Sequence, residues 1–288
     1  MNISLLHATY RRPGGPLGLR DAWLELAAQP DSVEYVVALD EDDQLAVEAT
    51  TKCRRAIGSA QSGWATSVRN WNAAARLATG DLLVVVADDL YPAPAWDAKL
   101  WNIVGRLDPS VVAYAIKVQD SPASARLLLR HPVISRAFYN EHGLFSESYY
   151  GVYCDDDILM RAFWRSFILD GRSLVLEHRH PKYGSTFVSS ESHARVNAEH
   201  EYRHGVAVYT ASWPRWQRTA QPRLVPSAEV RSLTVSNLQR IALRMRAREF
   251  LVYPFREICS VTRRTIRSLP TLHARALSVL RRFRSPAK

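Results

Sequence analysis

The chain is poor in cysteine, with only Cys53, Cys154 and Cys259 in 288 residues. They lie far apart, are odd in number and form no C-x-x-C. A disulfide framework is therefore excluded, and a reducing, cytoplasmic compartment is the expectation. No apolar run approaches the ~18 residues of a membrane span. The start, "MNISLLHATYRRP", has no basic stretch leading into a long apolar one, so no secretory signal is expected. Internal repeats and low-complexity segments are also missing. The body lacks any basic surplus. Arg223 to Lys288 hold 15 Lys and Arg against 3 Asp and Glu, while the other 222 residues hold 23 against 25. The net charge of +10 thus belongs to the C-terminal region. A near-neutral body argues against a nucleic-acid groove in the main domain.

What is present is an ordinary globular composition, 47% hydrophobic and 23% charged, with length for one large α/β domain and an extension. "ISLLHAT" reads as a buried strand running into the loop "YRRPGGPLG". "LRDAWLELAAQ" has helical spacing, with Leu19, Trp23, Leu26 and Ala27 on one face. "VEYVVALDEDD" is a second buried strand, ending in Asp40, Glu41, Asp42 and Asp43. "KCRRAIGS" is a short third strand. "ATSVRNWNAAARLAT" is a helix, with Gly80 expected to stop it. "LLVVV", Leu82 to Val86, is a strand delivering Asp88 and Asp89 to its tip. "PAWDAKLWNIVGRL" is a helix and "VVAYAIKV" a strand. The middle, about Leu127 to Phe187, is less regular. It contains "CDDDILMRAFWRS", an amphipathic helix, and "SLVLEHRHP", a strand ending in His178 and His180. Beyond Pro214 come Pro-containing basic segments and helices such as "NLQRIALRMRAREFLVY" and "LHARALSVLRRF", broken at Pro254 and Pro270. Alternating strands and helices predict a mostly parallel α/β sheet with ligands bound beyond its carboxyl ends. Both acidic clusters should then share one rim.

Each candidate motif has a plainer alternative. Adjacent Asp88 and Asp89 repel unless something positive sits by them. Paired carboxylates suit Mg2+ or Mn2+, which take oxygen ligands; turn chemistry around "DLYPAP" is the alternative. Asp155, Asp156 and Asp157 suit a helix dipole, but three exceed what capping needs, and a carboxylate fixed at a helix start makes a good general base. "HRHP" puts two imidazoles at i and i+2, where a metal ligand competes with an ordinary hydrogen-bonded histidine. Arg69 and Asn70 begin a polar helix face. Arg11 or Arg12 in "YRRPGG" has the charge to cradle a diphosphate, and a solvated loop explains them as well.

The order of these signals is more specific than any one of them. "ATYRRP", "VVALDEDD", "RNWNAAARLATGD", "VVVADDLYP" and "GLFSESYYGVYCDDDILMRA" together resemble the GT-A glycosyltransferases of the inverting family 2 type, over roughly residues 3–185. The resemblance implies a GT-A, Rossmann-like sheet flanked by helices, over residues 1–215. A basic helical extension over 216–288 lies outside it. It implies a nucleotide-sugar donor, UDP-linked being the commonest, with Thr9, Arg11, Arg12, Asp40, Arg69, Asn70 and Asp88 on the nucleotide-sugar side. It implies Mn2+ or Mg2+ at Asp89, with His178 or His180 resembling the late histidine of some members. Ala87 stands at the first place of the acidic triplet, a departure from the pattern. Asp155 falls at the base position, and Asp157 and Arg161 match the following "D-L-x-x-R". Cys154 replaces the usual glutamate, so the base stays open among Asp155 to Asp157. Sugar transfer to an acceptor hydroxyl would proceed by single displacement with inversion.

Two other classes stay in view. A nucleotidyltransferase would want a lysine in its Gly-rich N-terminal loop, and "YRRPGGPLGLR" has none. A non-catalytic membrane or nucleic-acid binder has no need for Asp89, Asp155 and His180 together. The acceptor (a glycan, lipid-linked sugar, protein or nucleobase) is not readable. The basic amphipathic tail fits an anionic membrane surface at the inner face, packing on the body, an oligomer contact, or a nucleic-acid contact.

Overall fold

The computed structural model describes residues 1–12, 15–123, 125–184, 190–230 and 234–253. In chain order the elements are β1 (Ile3–Thr9), α1 (Leu17–Glu25), β2 (Val33–Asp40), α2 (Gln44–Ala49), β3 (Arg54–Gly58), α3 (Ser67–Leu77), β4 (Leu82–Val86), β5 (Leu90–Tyr91) and α4 (Trp96–Val104). There follow β6 (Ala115–Gln119), β7 (Val133–Ser135), α5 (Arg136–His142), α6 (Cys154–Arg165), β8 (Ile168–Val175), β9 (Glu177–His178), α7 (Glu191–Val196), α8 (Glu199–Ser212), α9 (Arg215–Arg218), β10 (Val225–Pro226) and α10 (Ser227–Val230).

Eight strands form one sheet in the order β3-β2-β1-β4-β7-β6-β8-β10. Every neighbouring pair is parallel except the two made by β7, which runs antiparallel to both β4 and β6. A separate antiparallel ribbon pairs β5 with β9. The expected mostly parallel α/β sheet is therefore present. β1 and β4 are buried along their whole length. Helices cover both faces of such a sheet, so its central strands read as unbroken apolar runs. Burial of each Leu, Ile or Val is worth about 1.5–3 kcal/mol, enough to fix these strands centrally.

Several local expectations shift. α1 buries Leu19 and Trp23, but Leu26 is left largely exposed at its end. β6 begins at Ala115 rather than Val111, which is exposed. Gly80 does not stop α3, which ends at Leu77 with Ala78 already extended. Its role is close approach: a Cβ there would lie 2.6 Å from Ser4 Oγ and 2.7 Å from Ser4 N. Ser4 Oγ accepts the Gly80 N–H, so this contact joins the start of β4 to β1.

Two compact units divide the chain at Leu243/Arg244. The sequence-based boundary at 215/216 falls inside the first unit, because β10 adds to β8 at the sheet edge. Residues 234–243 close this unit with Leu238 and Ala242 buried and Arg240 exposed. In the second unit, residues 244–253 are helical. The "LHARALSVLRRF" helix and the breaks at Pro254 and Pro270 lie outside the described residues. Among the described residues no helix is long and apolar enough to cross a membrane.

Candidate functional site

The two acidic clusters do meet on one rim, and Tyr10 joins them. Its N–H donates to Asp88 Oδ2 (3.3 Å) and its hydroxyl to Asp42 Oδ2 (3.1 Å). Asp88 turns back under the sheet end. Its Oδ1 accepts from Thr9 Oγ1 (2.8 Å) and meets His7 Nε2 at 3.0 Å. His7 is fully buried and its Nδ1 lies 2.6 Å from the Tyr35 hydroxyl. Arg12 approaches Asp88 to 3.9 Å while donating to the Tyr91 hydroxyl. Thr9, Arg12 and Asp88 are thus one group. Arg11 points outward to Asp42 and Glu191.

Asp40 ends β2 fully buried, and four side chains donate to its carboxylate: Thr66, Arg69, Asn70 and Arg195. A pocket beside it is lined by Thr9, Tyr10, Thr66, Asn70 and Arg195. A wider cleft of about 610 Å³ shares Tyr10 and Arg195 and adds Arg11, Asp42 and Glu191. Arg195 is a residue that sequence reasoning missed. From α7 it also donates to the carbonyls of Trp64 and Gln61 and lies 4.4 Å over the Tyr10 ring.

Asp89 faces imidazoles. His178 Nε2 lies 3.2 Å and His193 Nε2 2.8 Å from its Oδ2. Burial alone would raise this carboxyl, but the two histidines outweigh burial and hold it far below the carboxylate range. Asp89, His131 and His178 each offer a ligand atom within 4.8 Å of the others. Topology explains the meeting. β7 is antiparallel, so its amino end lies on the rim where its parallel neighbours finish, and His131 just precedes it. The β5–β9 ribbon pairs Leu90 with His178, which sets His178 next to Asp89. β9 ends at His178, so His180 lies beyond it, with its ring 5.4 Å from that of His178 and 4.9 Å from that of His193. Burial pushes His180 down to about 4. Burial also lowers His131, favouring the neutral, ligating form. A carboxylate oxygen beside imidazole nitrogens fits a divalent cation. His131 and His193 carry no sequence signal; only the chain path assembles them.

The three acids of α6 part company. Tyr153, at φ 66°, turns the chain into the helix. Gly205 of α8 makes room for that turn, since a Cβ there would meet Tyr153 at 2.8 Å. Asp157 accepts from Arg161 Nε (2.8 Å) and Trp213 Nε1 (2.8 Å) and is buried. Asp156 pairs with Arg126 at 2.7 Å. Burial, then the adjacent Asp155 carboxylate, pushes Asp156 up to about 6. Asp155 receives N–H groups at the helix start, and burial raises its carboxyl too. We read Asp157 as a brace, since both of its oxygens accept from side chains of the fold. Asp157→Ala leaves Arg161 buried with carbonyl acceptors but without its carboxylate, and should cost about 3–5 kcal/mol in denaturant unfolding. A loss under ~1 kcal/mol, the size of an exposed pair, would refute the brace.

A mostly parallel sheet with this rim of carboxylates and imidazoles is the GT-A glycosyltransferase architecture. Residues 4–163 match the model of "Glycosyl transferase family 2", and the chain belongs to that family. Among solved structures, S. aureus TarS 1-349 is similar at 13% identity, over 62% of this chain and 60% of that one, with TM-score 0.45. TarS 1-349 in complex with UDP is 14% identical over 88% and 89%, with TM-score 0.45. The mannosyltransferase PcManGT from Pyrobaculum calidifontis, in complex with GDP-Man and Mn2+, is 15% identical over 88% and 71%, with TM-score 0.49. No curated protein matches the chain.

Proposed function

We propose that this glycosyltransferase moves a sugar from a nucleoside-diphosphate donor to an acceptor hydroxyl, by a single metal-dependent displacement with inversion. The observation that carries this reading is the meeting of Asp89 with His131 and His178 on the strand-end rim. Asp89, His131 and His178 would hold the cation. When bound, it offsets the charge of the departing diphosphate as a Lewis acid.

The chain's own residues supply the rest. The wider cleft, which continues from the small pocket of Thr9, Tyr10, Thr66 and Asn70 through Tyr10 and Arg195, takes the nucleoside, with UDP the first candidate. Asp40 lies beneath the small pocket and fixes Thr66, Arg69, Asn70 and Arg195. Arg12 is the cation nearest the diphosphate side, and Asp88 holds Thr9 and the Tyr10 N–H in place. Asp155 is the general base. It takes the acceptor proton as the hydroxyl oxygen attacks the anomeric carbon, and the bond to diphosphate breaks on the opposite face. Asp156 is engaged by Arg126, and Asp157 by Arg161 and Trp213, which supports Asp155 for this role. Burial raises its proton affinity, the direction that favours a general base.

Donor hydrolysis followed by proton NMR tests the reading. With UDP-, GDP-, dTDP- or CMP-sugars and Mn2+, one donor class should release its sugar with the anomeric configuration inverted. Release of a retained anomer would refute single displacement. Pyrophosphate release from a nucleoside triphosphate, with no sugar nucleotide cleaved, would indicate a nucleotidyltransferase instead.

A further inference from the structure

Asp120 follows β6 at the same rim and is nearly inaccessible, at 1% exposure. Its Oδ1 accepts from Lys117 Nζ at 2.5 Å. Its Oδ2 lies 3.2 Å from His131 Nδ1 and also accepts the His131 N–H. Its main-chain carbonyl lies 3.1 Å from His178 Nδ1. One residue therefore meets the Nδ1 atoms of both imidazoles that cluster with Asp89 as candidate ligands.

The consequence is tautomeric. A carboxylate and a carbonyl only accept hydrogen bonds, so both Nδ1 atoms carry hydrogen. In the neutral rings both Nε2 atoms then present lone pairs. His178 Nε2 faces Asp89 Oδ2 at 3.2 Å, where lone pair meets carboxylate oxygen, an arrangement that a proton or a cation between them relieves. The other two histidines are set the opposite way. His180 Nδ1 accepts the Lys182 N–H and His193 Nδ1 accepts the Ser190 N–H. Their Nε2 atoms carry hydrogen when neutral, and His193 donates to Asp89. Two of the four imidazoles are thus presented as ligands, and His193 orients the carboxylate instead.

We propose that Asp120 is the positioning residue of the metal site, and that the carboxylate and two imidazoles it helps assemble favour first-row transition ions over Mg2+, with Co2+ and Zn2+ favoured more strongly than Mn2+. The inference rests on the metal-dependent reading above and narrows it. Mg2+ favours oxygen and keeps its waters, whereas imidazole suits the later ions. A carboxylate behind a ligating histidine fixes the ring and raises its basicity. Lys117 offsets the charge of Asp120 in this buried place.

Calorimetric titration of the full chain with Mg2+, Mn2+, Co2+ and Zn2+, each with and without UDP or GDP, tests the selectivity. Affinity should rise from Mg2+ to Mn2+ to Co2+. Pulsed EPR of the Mn2+-loaded protein should show nitrogen couplings from two imidazoles, reduced to one in His131→Ala. Asp120→Asn should weaken Mn2+ about 10–100-fold. Imidazole 15N NMR of the unsubstituted protein should show Nδ1–H on His131 and His178, so the positioning role is read even if Asp120→Asn, which removes the charge beside Lys117, folds poorly; Nε2–H on both rings, or unchanged Mn2+ affinity in a folded Asp120→Asn, overturns it. Equal affinity for Mg2+ and Co2+, or no nitrogen coupling, overturns the inference. If Asp89→Ala still abolishes ion binding in that case, the metal-dependent reading survives. If no ion binds with or without nucleotide, both fall together.

Discussion

Asp155→Asn should lower sugar transfer by about 100- to 10,000-fold, the range that a general base contributes, with donor binding unchanged. Asparagine keeps the shape and one accepting oxygen at the start of α6 and loses the charge and the basic oxygen. Its effect on stability should run the other way. Burial raises the folded-state pKa of Asp155 above its ordinary value, so protonation favours the native state. That contribution is full at low pH and is lost as pH rises through the raised pKa, and ionisation at neutral pH costs stability. Asn, which cannot ionise, should therefore melt at the parent temperature or higher near neutrality. A variant that is stable and inactive separates chemistry from folding. The acid limb of the parent's kcat profile should also be shifted upward from that of a free aspartate and be altered in the variant. If transfer and donor hydrolysis persist at the parent rate, Asp155 is not the base.

Asp89→Ala should abolish metal-dependent binding of the sugar nucleotide, the second large effect. The substitution removes the only carboxylate in the donor cluster. It also takes the acceptor from His193, and with it the contact that ties α7 to the tip of β4. A ligand at 100 times its Kd stabilises the fold by about 2.7 kcal/mol through mass action, and all of that should vanish in the variant. His180→Ala should retain much of it, because its Nδ1 is spent on the Lys182 N–H.

These two effects also mark what was legible from residues alone. β1, β2 and β4 were readable because central strands of a parallel sheet are apolar on both faces, and the charges that end them stand out against such runs. Asp40, Asp88 and Asp89 were found that way, and Asp155 to Asp157 through the ordered motif. β7 was not, since "VIS" is three residues long and offers no periodicity. Yet its reversed direction is what brings His131 to Asp89. Arg195 and His193 come from α7, a six-residue helix more than a hundred positions from the acids they meet. Asp157 shows the converse. It matches the motif as well as Asp155 does, and only Trp213 and Arg161 mark it as a brace.

The most direct test of the metal and nucleotide-sugar site is a thermal-shift screen of UDP-, GDP-, dTDP- and CMP-sugars, each with and without Mn2+, on the parent and on Asp89→Ala. One nucleotide class should raise the Tm of the parent only when Mn2+ is present, and Asp89→Ala should show no such rise. A rise that persists without metal or in Asp89→Ala, or no rise for any sugar nucleotide in a well-folded parent, would contradict the site.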